Sequence, residues 1–423
     1  MSAVSPTHRT IDAVWRIESA KIIASLARLL RDVGLAEELA QDALVAALEQ
    51  WPSQGVPANP AAWLMTTARH RAIDTIRRKA LHERKEDEIA YEIELQLRDA
   101  QRSPDAALDD DIGDDLLRLV FTACHPVLST EARVALTLRL LGGLTTDEIA
   151  RAFLAAEATI AQRIVRAKRT LAAARVPFEV PRAEELAPRL ASVLEVIYLV
   201  FNEGYAATAG DDWMRPTLCD EALRLGRIVA GLAPREPEVH GLVALMEIQA
   251  SRIGARTGPQ GEPILLPEQN RARWDHLLIG RGLAALERAE ALGGALGPYA
   301  LQAAIAACHA RARSAGETDW ARIAAFYDAL AQTAPSPVVE LNRAVALAMA
   351  FGPVAGLEIV DALAGEPTLK SYHLLPSVRG DLLARLGRHE EAQAEFVRAA
   401  ALTRNTRERV LLLRRAQDSA GAR

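Results

Sequence analysis

Two clusters of basic side chains carry the residue types that could do chemistry in this chain, and that chemistry is the binding of phosphates and base edges. The first cluster lies in residues 158–175, where five basic side chains and no acidic one give a local charge of +5. Arg can hydrogen-bond guanine through two parallel donors, and Gln can pair in a similar way with adenine. Gln162, Arg163 and Arg166 therefore have side-chain types that read a DNA groove.

The pattern over residues 144–172 predicts the helices that must position this cluster. Thr145, with Glu148 three residues later, is a capping box that opens a short helix. The buried face of a second helix is marked at helical spacing by Ile160, Ile164, Ala167 and Leu171. A capped helix, a turn and a basic helix are typical of a helix-turn-helix, although a solvated helical hairpin is the alternative. Leu154 occupies the usual glycine site, so we expect an altered turn.

The second cluster lies in residues 69–79, where five basic side chains and Asp74 give a net charge of +4. Asn59 can cap the helix that carries it, with Pro60 at the first position. Basic side chains beside Trp51 and Trp63 suit single-stranded nucleic acid, because cations follow phosphates while rings stack on bases. The alternative is that both rings belong to the core, and for Trp63 we expect the core to be its main role.

Two further helices precede the second cluster. Residues 11–30 predict one long helix, with apolar anchors at Val14, Ile17, Ile22, Leu26 and Leu29. The pattern over residues 35–50 predicts a second helix. One side of this helix is apolar, and the other side carries Glu37, Glu38, Gln41 and Asp42. An acidic exposed face is either solvated or docks on a basic partner.

Composition limits the class of protein. The 423 residues are 50% hydrophobic and only 4% aromatic, with Ala and Leu dominant, which predicts an all-α protein. The net charge of -5 excludes a globally basic DNA-coating protein. We expect no membrane span, no signal peptide and a cytoplasmic location. The three dispersed cysteines favour reduced thiols, and without clustered ligands we expect no metal or cofactor.

An acidic segment lies between the two basic modules, and a long helical region follows the second of them. Residues 83–115 hold thirteen acidic and four basic side chains, a net charge of -9, which predicts a linker. Beyond residue 177 the pattern is helical, and Gly316, Gly352 and Gly387 are spaced by 36 and 35 residues. That period suggests helical-hairpin repeats, and residues 380–400 partly fit the tetratricopeptide (TPR) spacing. Polar residues between 202 and 256 suggest a structural network more strongly than a metal or catalytic site, so we expect no enzymatic activity.

These modules, in this order and spacing, resemble the extracytoplasmic-function (ECF) sigma factors of bacterial RNA polymerase. AEELAQDAL and NPAAWLMTTARHRAIDTIRR are similar to the polymerase-docking and -10 segments of that family, and ATIAQRIVRAKRTL is similar to its -35 recognition helix. The resemblance implies a sigma-2 helical bundle (residues 10–80), an acidic linker (81–113) and a sigma-4 helix-turn-helix domain (114–176). A TPR-like α-helical repeat extension (177–423) would follow, as in one subgroup of the family.

The resemblance also implies roles for residues and partners. Core polymerase would be bound by Asp32, Glu37, Glu38, Gln41 and Asp42. The -10 element would be bound by Trp51, Asn59, Trp63, Arg69, His70, Arg77, Arg78 and Lys79. The -35 element would be bound by Glu157, Thr159, Gln162, Arg163, Arg166 and Lys168. The expected partners are core RNA polymerase and promoter DNA, with a regulatory protein or small ligand at the extension and no membrane.

Three other functions remain open from the sequence. One is a helix-turn-helix transcriptional regulator with a TPR-like sensor, which would not need an acidic docking face followed by a basic Trp helix. Another is an enzyme housed in residues 190–300, for which mutation of Glu203 and His240 is the test. The third is a plain TPR scaffold, which would leave both basic helices unexplained.

Overall fold

The structure, a computed structural model, describes residues 6–83, 106–153, 155–293 and 296–421. The chain is 77% helical, and its described residues form 18 α-helices and one pair of two-residue strands. The predicted all-α class is confirmed. The chain divides into two compact units, residues 1–197 and 198–423, and the boundary lies inside one helix.

The first unit contains two helical bundles. The first bundle consists of α1 (Pro6–Leu30), α2 (Val33–Gln54) and α3 (Pro60–Glu83). The second bundle consists of α4 (Ala106–Ala123), α5 (Thr130–Leu140), α6 (Thr146–Ala152) and α7 (Glu157–Ala173). Helix α8 (Ala183–Tyr205) continues into the second unit. Within the first unit, α1 packs against α4, and α2 approaches α7.

The first bundle is held by an apolar seam along α1. Ile11, Ile22 and Leu26 are fully buried against the other helices. The prediction that Ile17 is an anchor is wrong, since its side chain is 63% exposed. Each residue turns a helix by about 100°, so Ile17 is rotated by about 140° from Ile22 and leaves the seam. Asn59 Oδ1 accepts from the Ala62 amide at 3.1 Å, which confirms the predicted cap of α3.

The second bundle has the predicted helix pair. The Thr145 amide donates to Glu148 Oε2 at 2.8 Å, and the Glu148 amide donates to Thr145 Oγ1 at 3.1 Å. This reciprocal pair is the predicted capping box. The buried residues of α7 are the four predicted from spacing, namely Ile160, Ile164, Ala167 and Leu171. Leu154, on which the altered-turn prediction rests, lies outside the described residues, as does most of the predicted acidic linker (81–113).

The second unit is a series of helices in which neighbours in sequence pack together. They are α9 (Pro216–Leu232), α10 (Pro237–Ala250), α11 (His276–Ala291), α12 (Pro298–Arg311), α13 (Trp320–Thr333), α14 (Pro337–Phe351), α15 (Pro353–Leu363), α16 (Leu374–Arg385), α17 (His389–Leu402) and α18 (Thr406–Gly421). From α9 onward each helix packs on its neighbour in sequence. Gly380 on α16 lies directly against the buried Phe396 ring on α17, so a Cβ there would come within about 2.9 Å of that ring. This pairing agrees with the positions matched to a TPR motif, while the TPR-like class of the whole extension stays a prediction.

Two segments of the second unit that are nearly 200 residues apart in sequence contact each other. Strand β1 (Ala209–Gly210) pairs in parallel with β2 (Arg404–Asn405). The Asn405 side-chain amide donates to the carbonyls of Ala207 at 3.1 Å and Asp212 at 2.8 Å. The loop after α8 is therefore fixed to the segment before α18. No local sequence signal predicts such a pairing.

Polar residues that suggested a site in the second unit are engaged in structural contacts. Glu203 pairs with Arg215, and Glu247 pairs with Arg227 at 2.7 Å. Arg256 lies 3.6 Å from the centre of the Tyr205 ring and donates to the carbonyl of the same residue. The charged groups of Glu203, Glu247 and Arg256 are therefore each paired with an opposite charge, an aromatic ring or a backbone carbonyl. The arrangement agrees with the structural network that the sequence favoured.

One buried histidine in this unit predicts sensitivity to acid. Burial, followed by the charges of Arg252 and Arg271, lowers the pKa of His309 to about 4. The unfolded chain takes up this proton near pH 6.5, so stability is full above that pH and falls as the pH drops toward 4. The loss attributable to His309 is about 3 kcal/mol.

Thermal denaturation of the full chain between pH 7 and pH 4 measures this effect. His309→Phe keeps an aromatic ring against Trp320, whose centroid lies 5.1 Å from that of the imidazole. This variant should lose part of the acid sensitivity, whereas replacing the exposed His276 by Gln should not. Equal acid sensitivity in His309→Phe and the parent would contradict the expectation.

Candidate nucleic-acid interface

One side of α7 is polar and exposed. Residues three and four apart lie on the same side of a helix, and Thr159, Gln162 and Arg166 follow that spacing. All three are exposed, and Glu157 is exposed in the first turn. Arg163 is half-buried beside this face. The arrangement presents donors that can contact base edges and phosphates in a groove.

Lys168 does not belong to that face. Two residues along a helix correspond to a rotation of about 200°, so Lys168 points nearly opposite to Arg166. Its ammonium pairs with the carboxylate of Glu37 on α2. Lys168 is therefore engaged within the chain and does not lie on this exposed face, while its contact with -35 DNA stays a prediction.

The exposed cations of α3 lie toward its end. His70, Arg77 and Arg78 are exposed, while the side chain of Lys79 lies outside the described residues. Arg69 is half-buried and donates to Ser25 Oγ at 3.1 Å, and burial lowers the pKa of its guanidinium. Arg69 thus joins α3 to α1, and its contact with phosphate stays a prediction.

The two tryptophans form an edge-to-face pair. Their ring centroids are 5.4 Å apart with planes at 71°. Trp51 is only 2% exposed, so its ring is not available to a nucleic-acid base in this arrangement, and its contact with the -10 element stays a prediction. Trp63 is half-buried, in agreement with a core role as its main one. The pair fixes the start of α3 on the end of α2.

The acidic face of α2 is divided into a buried and an exposed part. Glu38 and Asp42 are exposed, and Asp42 reaches Arg71 at 3.4 Å. Asp32 is exposed and caps α2 by accepting from the Leu35 amide at 3.0 Å. Glu37 is only 3% exposed and also accepts from the Gln41 amide, so it is not accessible in this arrangement, and its role in docking stays a prediction.

Glu37 is the centre of an ion cluster between the two bundles. Its Oε1 accepts from Arg139 Nε on α5 at 2.7 Å, and its Oε2 meets Lys168 of α7. A second buried carboxylate, Asp115 on α4, pairs with Arg28 of α1 at 3.2 Å. Neither Arg139 nor Asp115 has a signal in the sequence that marks it as a functional residue. Their partners lie some 90 to 100 residues away in sequence, so periodicity and local charge gave no signal.

The cysteines and potential metal ligands show no reactive arrangement in the part of the chain that is described. All three cysteines are buried free thiols, and burial raises the pKa of Cys124 to about 11 and that of Cys219 to about 12. Among the described residues, no group of three or more His, Cys, Asp or Glu side chains is placed to hold a metal ion. None of the described helices has the length and apolarity that a membrane span requires.

Comparison with known proteins places three family models on the chain. Sigma-70 region 2 matches residues 18–81, and Sigma-70 region 4 matches residues 118–171. A family of unknown function, DUF6596, matches residues 189–290. The first two matches fall on the first and second bundles. The third covers α8 to α11, where the sequence had predicted only a TPR-like extension.

Similar whole proteins agree with this division. An uncharacterized protein of Rhizobium meliloti is 44% identical over 390 residues, which cover 91% of this chain and 90% of that protein. The ECF RNA polymerase sigma factor SigK of Mycobacterium ulcerans is 30% identical over 157 residues, or 36% of this chain and 78% of SigK. SigK of Mycobacterium bovis is 29% identical over 155 residues, with shares of 36% and 78%. The chain belongs to the sigma-70 family of RNA polymerase sigma factors.

Proposed function

We propose that the chain directs core RNA polymerase to specific promoters and starts transcription there, without catalytic residues of its own. The first bundle would bind polymerase and the -10 element, and the second bundle would bind the -35 element. The observation that carries the proposal is the exposed polar face of α7, presented by a capped helix-turn-helix in a chain with both sigma-70 regions.

The contacts with DNA follow from the exposed side chains. Thr159, Gln162 and Arg166 would face the -35 major groove, with Glu157 and Arg163 at its border. On α3, His70, Arg77 and Arg78 would lie along the -10 strand, with Lys79 beyond them. Asn59 caps α3 and would position its start. This division separates base reading on α7 from phosphate contacts on α3.

Polymerase docking would use the exposed part of α2 first. Glu38 and Asp42 are accessible in the free chain, whereas Glu37 is covered by Arg139 and Lys168. We therefore infer that full docking requires the two bundles to separate. Separation would release Lys168 and expose Glu37, so both could take the roles that family resemblance implies. The ion cluster would then stabilise the association of the two bundles while the chain is not bound to polymerase.

The second unit would regulate this activity. Its helices pack on successive neighbours, and such arrays offer long surfaces to partners. A regulatory protein or a small ligand is the proposed partner class. Comparison of the full chain with residues 1–197 in transcription measures whether the unit assists or inhibits initiation.

Run-off transcription tests the proposal. Purified bacterial core polymerase is given a pool of genomic promoter fragments, with the full chain or with no addition. Discrete transcripts that require the chain would support sigma activity. Duplex binding without transcripts would instead favour a helix-turn-helix regulator. A second reaction with residues 1–197, once its folding is verified by circular dichroism, measures the contribution of the second unit.

A further inference from the structure

A cavity of about 850 Å³ lies between the two bundles of the first unit. Its walls come from the end of α1, the start of α2, one side of α4, the end of α7 and residues 176–179. We call it the basic cavity, because it is lined by the cations Arg28, Arg31, Arg118, Lys168 and Arg175. Its volume falls in the range of small-molecule sites.

Among the described residues that line the basic cavity, cations outnumber carboxylates by five to two. The two carboxylates are those of Asp32 and Glu179. Two buried carboxylates lie behind the wall. Asp115 faces Arg28 at 3.2 Å and Arg118 at 2.6 Å, and Arg118 also lies 4.0 Å from Asp114. Glu37 is shared by Lys168 and Arg139.

Arg31 and Arg175 have an unusual backbone. They are the only described non-glycine residues with positive φ, at 53° and 49°. In the described part of the chain, neither guanidinium has a carboxylate within ion-pair distance. Glycine would adopt this conformation without strain, so the choice of arginine at both positions indicates a use for the side chain. An offset for the helix dipole does not explain Arg31, because Arg28 already lies in the last turn of α1.

The cavity is separate from the proposed DNA-reading face. Lys168 lies on the flank of α7 nearly opposite Arg166, and this flank is turned toward α2. A partly open cavity of this volume fits a small molecule better than a duplex. Beside the cations, Val33, Leu171 and Phe178 give the wall apolar surface. The combination suits a molecule with both phosphate groups and a planar ring.

We propose that the basic cavity binds a nucleotide-class ligand, a small molecule with two or more phosphates on a ring-bearing body. Arg31 and Arg175 would bind the phosphates, and the apolar wall would accept the ring. Because both bundles supply walls, the bound ligand stabilises their association. If the chain acts as a sigma factor, as proposed above, the bound ligand would then lower the affinity of the chain for core polymerase.

Isothermal titration of the full chain with ATP, pyrophosphate and adenosine tests the binding, with polymerase and DNA absent. Saturable binding of one ATP per chain is expected, with weaker binding of pyrophosphate and none of adenosine. The Arg31→Gly/Arg175→Gly variant removes both guanidiniums from positions where glycine is favoured, so the fold should survive. It should bind ATP at least 10-fold more weakly. The charge-matched Arg9→Ala/Arg169→Ala variant should bind as the parent does.

Several results would overturn the proposal. They are the absence of saturable binding, adenosine binding as tight as that of ATP, and equal weakening in both double variants. Displacement of ATP by a short duplex would assign the cavity to the DNA-binding surface instead. In a second arm, ATP should reduce polymerase binding by the parent but not by the Arg31→Gly/Arg175→Gly variant. If ATP binds without this reduction, the regulatory role fails while the ligand site stands, whatever the run-off assay shows.

Discussion

Replacing Glu37 by Ala is expected to separate the two bundles of the first unit. In the closed arrangement, Arg139 and Lys168 would be left without their buried counter-charge. Removing one partner of a buried ion pair costs about 3–5 kcal/mol. In the separated arrangement water hydrates both cations, so the loss falls on the closed form. The open population should rise by roughly 100-fold or more.

Small-angle X-ray scattering of the full chain measures the separation as a larger radius of gyration. Glu38→Ala is the matched control, because it removes the same charge one residue away from the exposed side of α2. The control should leave the radius unchanged and weaken polymerase binding. Glu37→Ala should enlarge the radius, because it removes the carboxylate that Arg139 and Lys168 share. An unchanged radius in Glu37→Ala would show that the ion cluster does not hold the bundles together.

Arg166→Ala is expected to weaken binding of the holoenzyme to its preferred promoter by about 10- to 100-fold, with little change on unrelated DNA. A bidentate contact between Arg and a base contributes about 1–3 kcal/mol of discrimination. Arg166 is exposed on the face of α7 opposite its buried seam. Equilibrium binding to promoter and scrambled fragments gives the ratio directly.

Arg77→Ala on α3 provides the contrast to Arg166→Ala. A phosphate contact should be lost equally on all sequences, and the log–log slope against salt should fall by about 0.9. Arg77 is exposed near the end of α3, so the substitution leaves the core intact. If Arg166→Ala weakened promoter and scrambled DNA to the same extent, α7 would not be reading bases through this residue.

Local patterns in the sequence were sufficient to identify the helices and their caps. The Thr145–Glu148 capping box and the Asn59 cap are both present, because each depends on residues within one helical turn. The four buried residues of α7 follow from a period of 3.6 residues. Ile17 marks the limit of this reasoning, since an apolar residue off the seam looks like an anchor until the packing partner is known.

The sequence by itself determined the all-α class, the two basic modules and the residue types available to bind DNA, since periodicity, caps and charge runs are short-range properties. Tertiary structure alone decided which of those side chains are accessible. Glu37, Trp51, Arg69 and Lys168 carry suitable chemistry, yet distant helices cover or engage them. The basic cavity arises in the same way, because its walls come from segments more than 80 residues apart. Burial and ion pairing depend on which surfaces meet in three dimensions, and local spacing does not encode that.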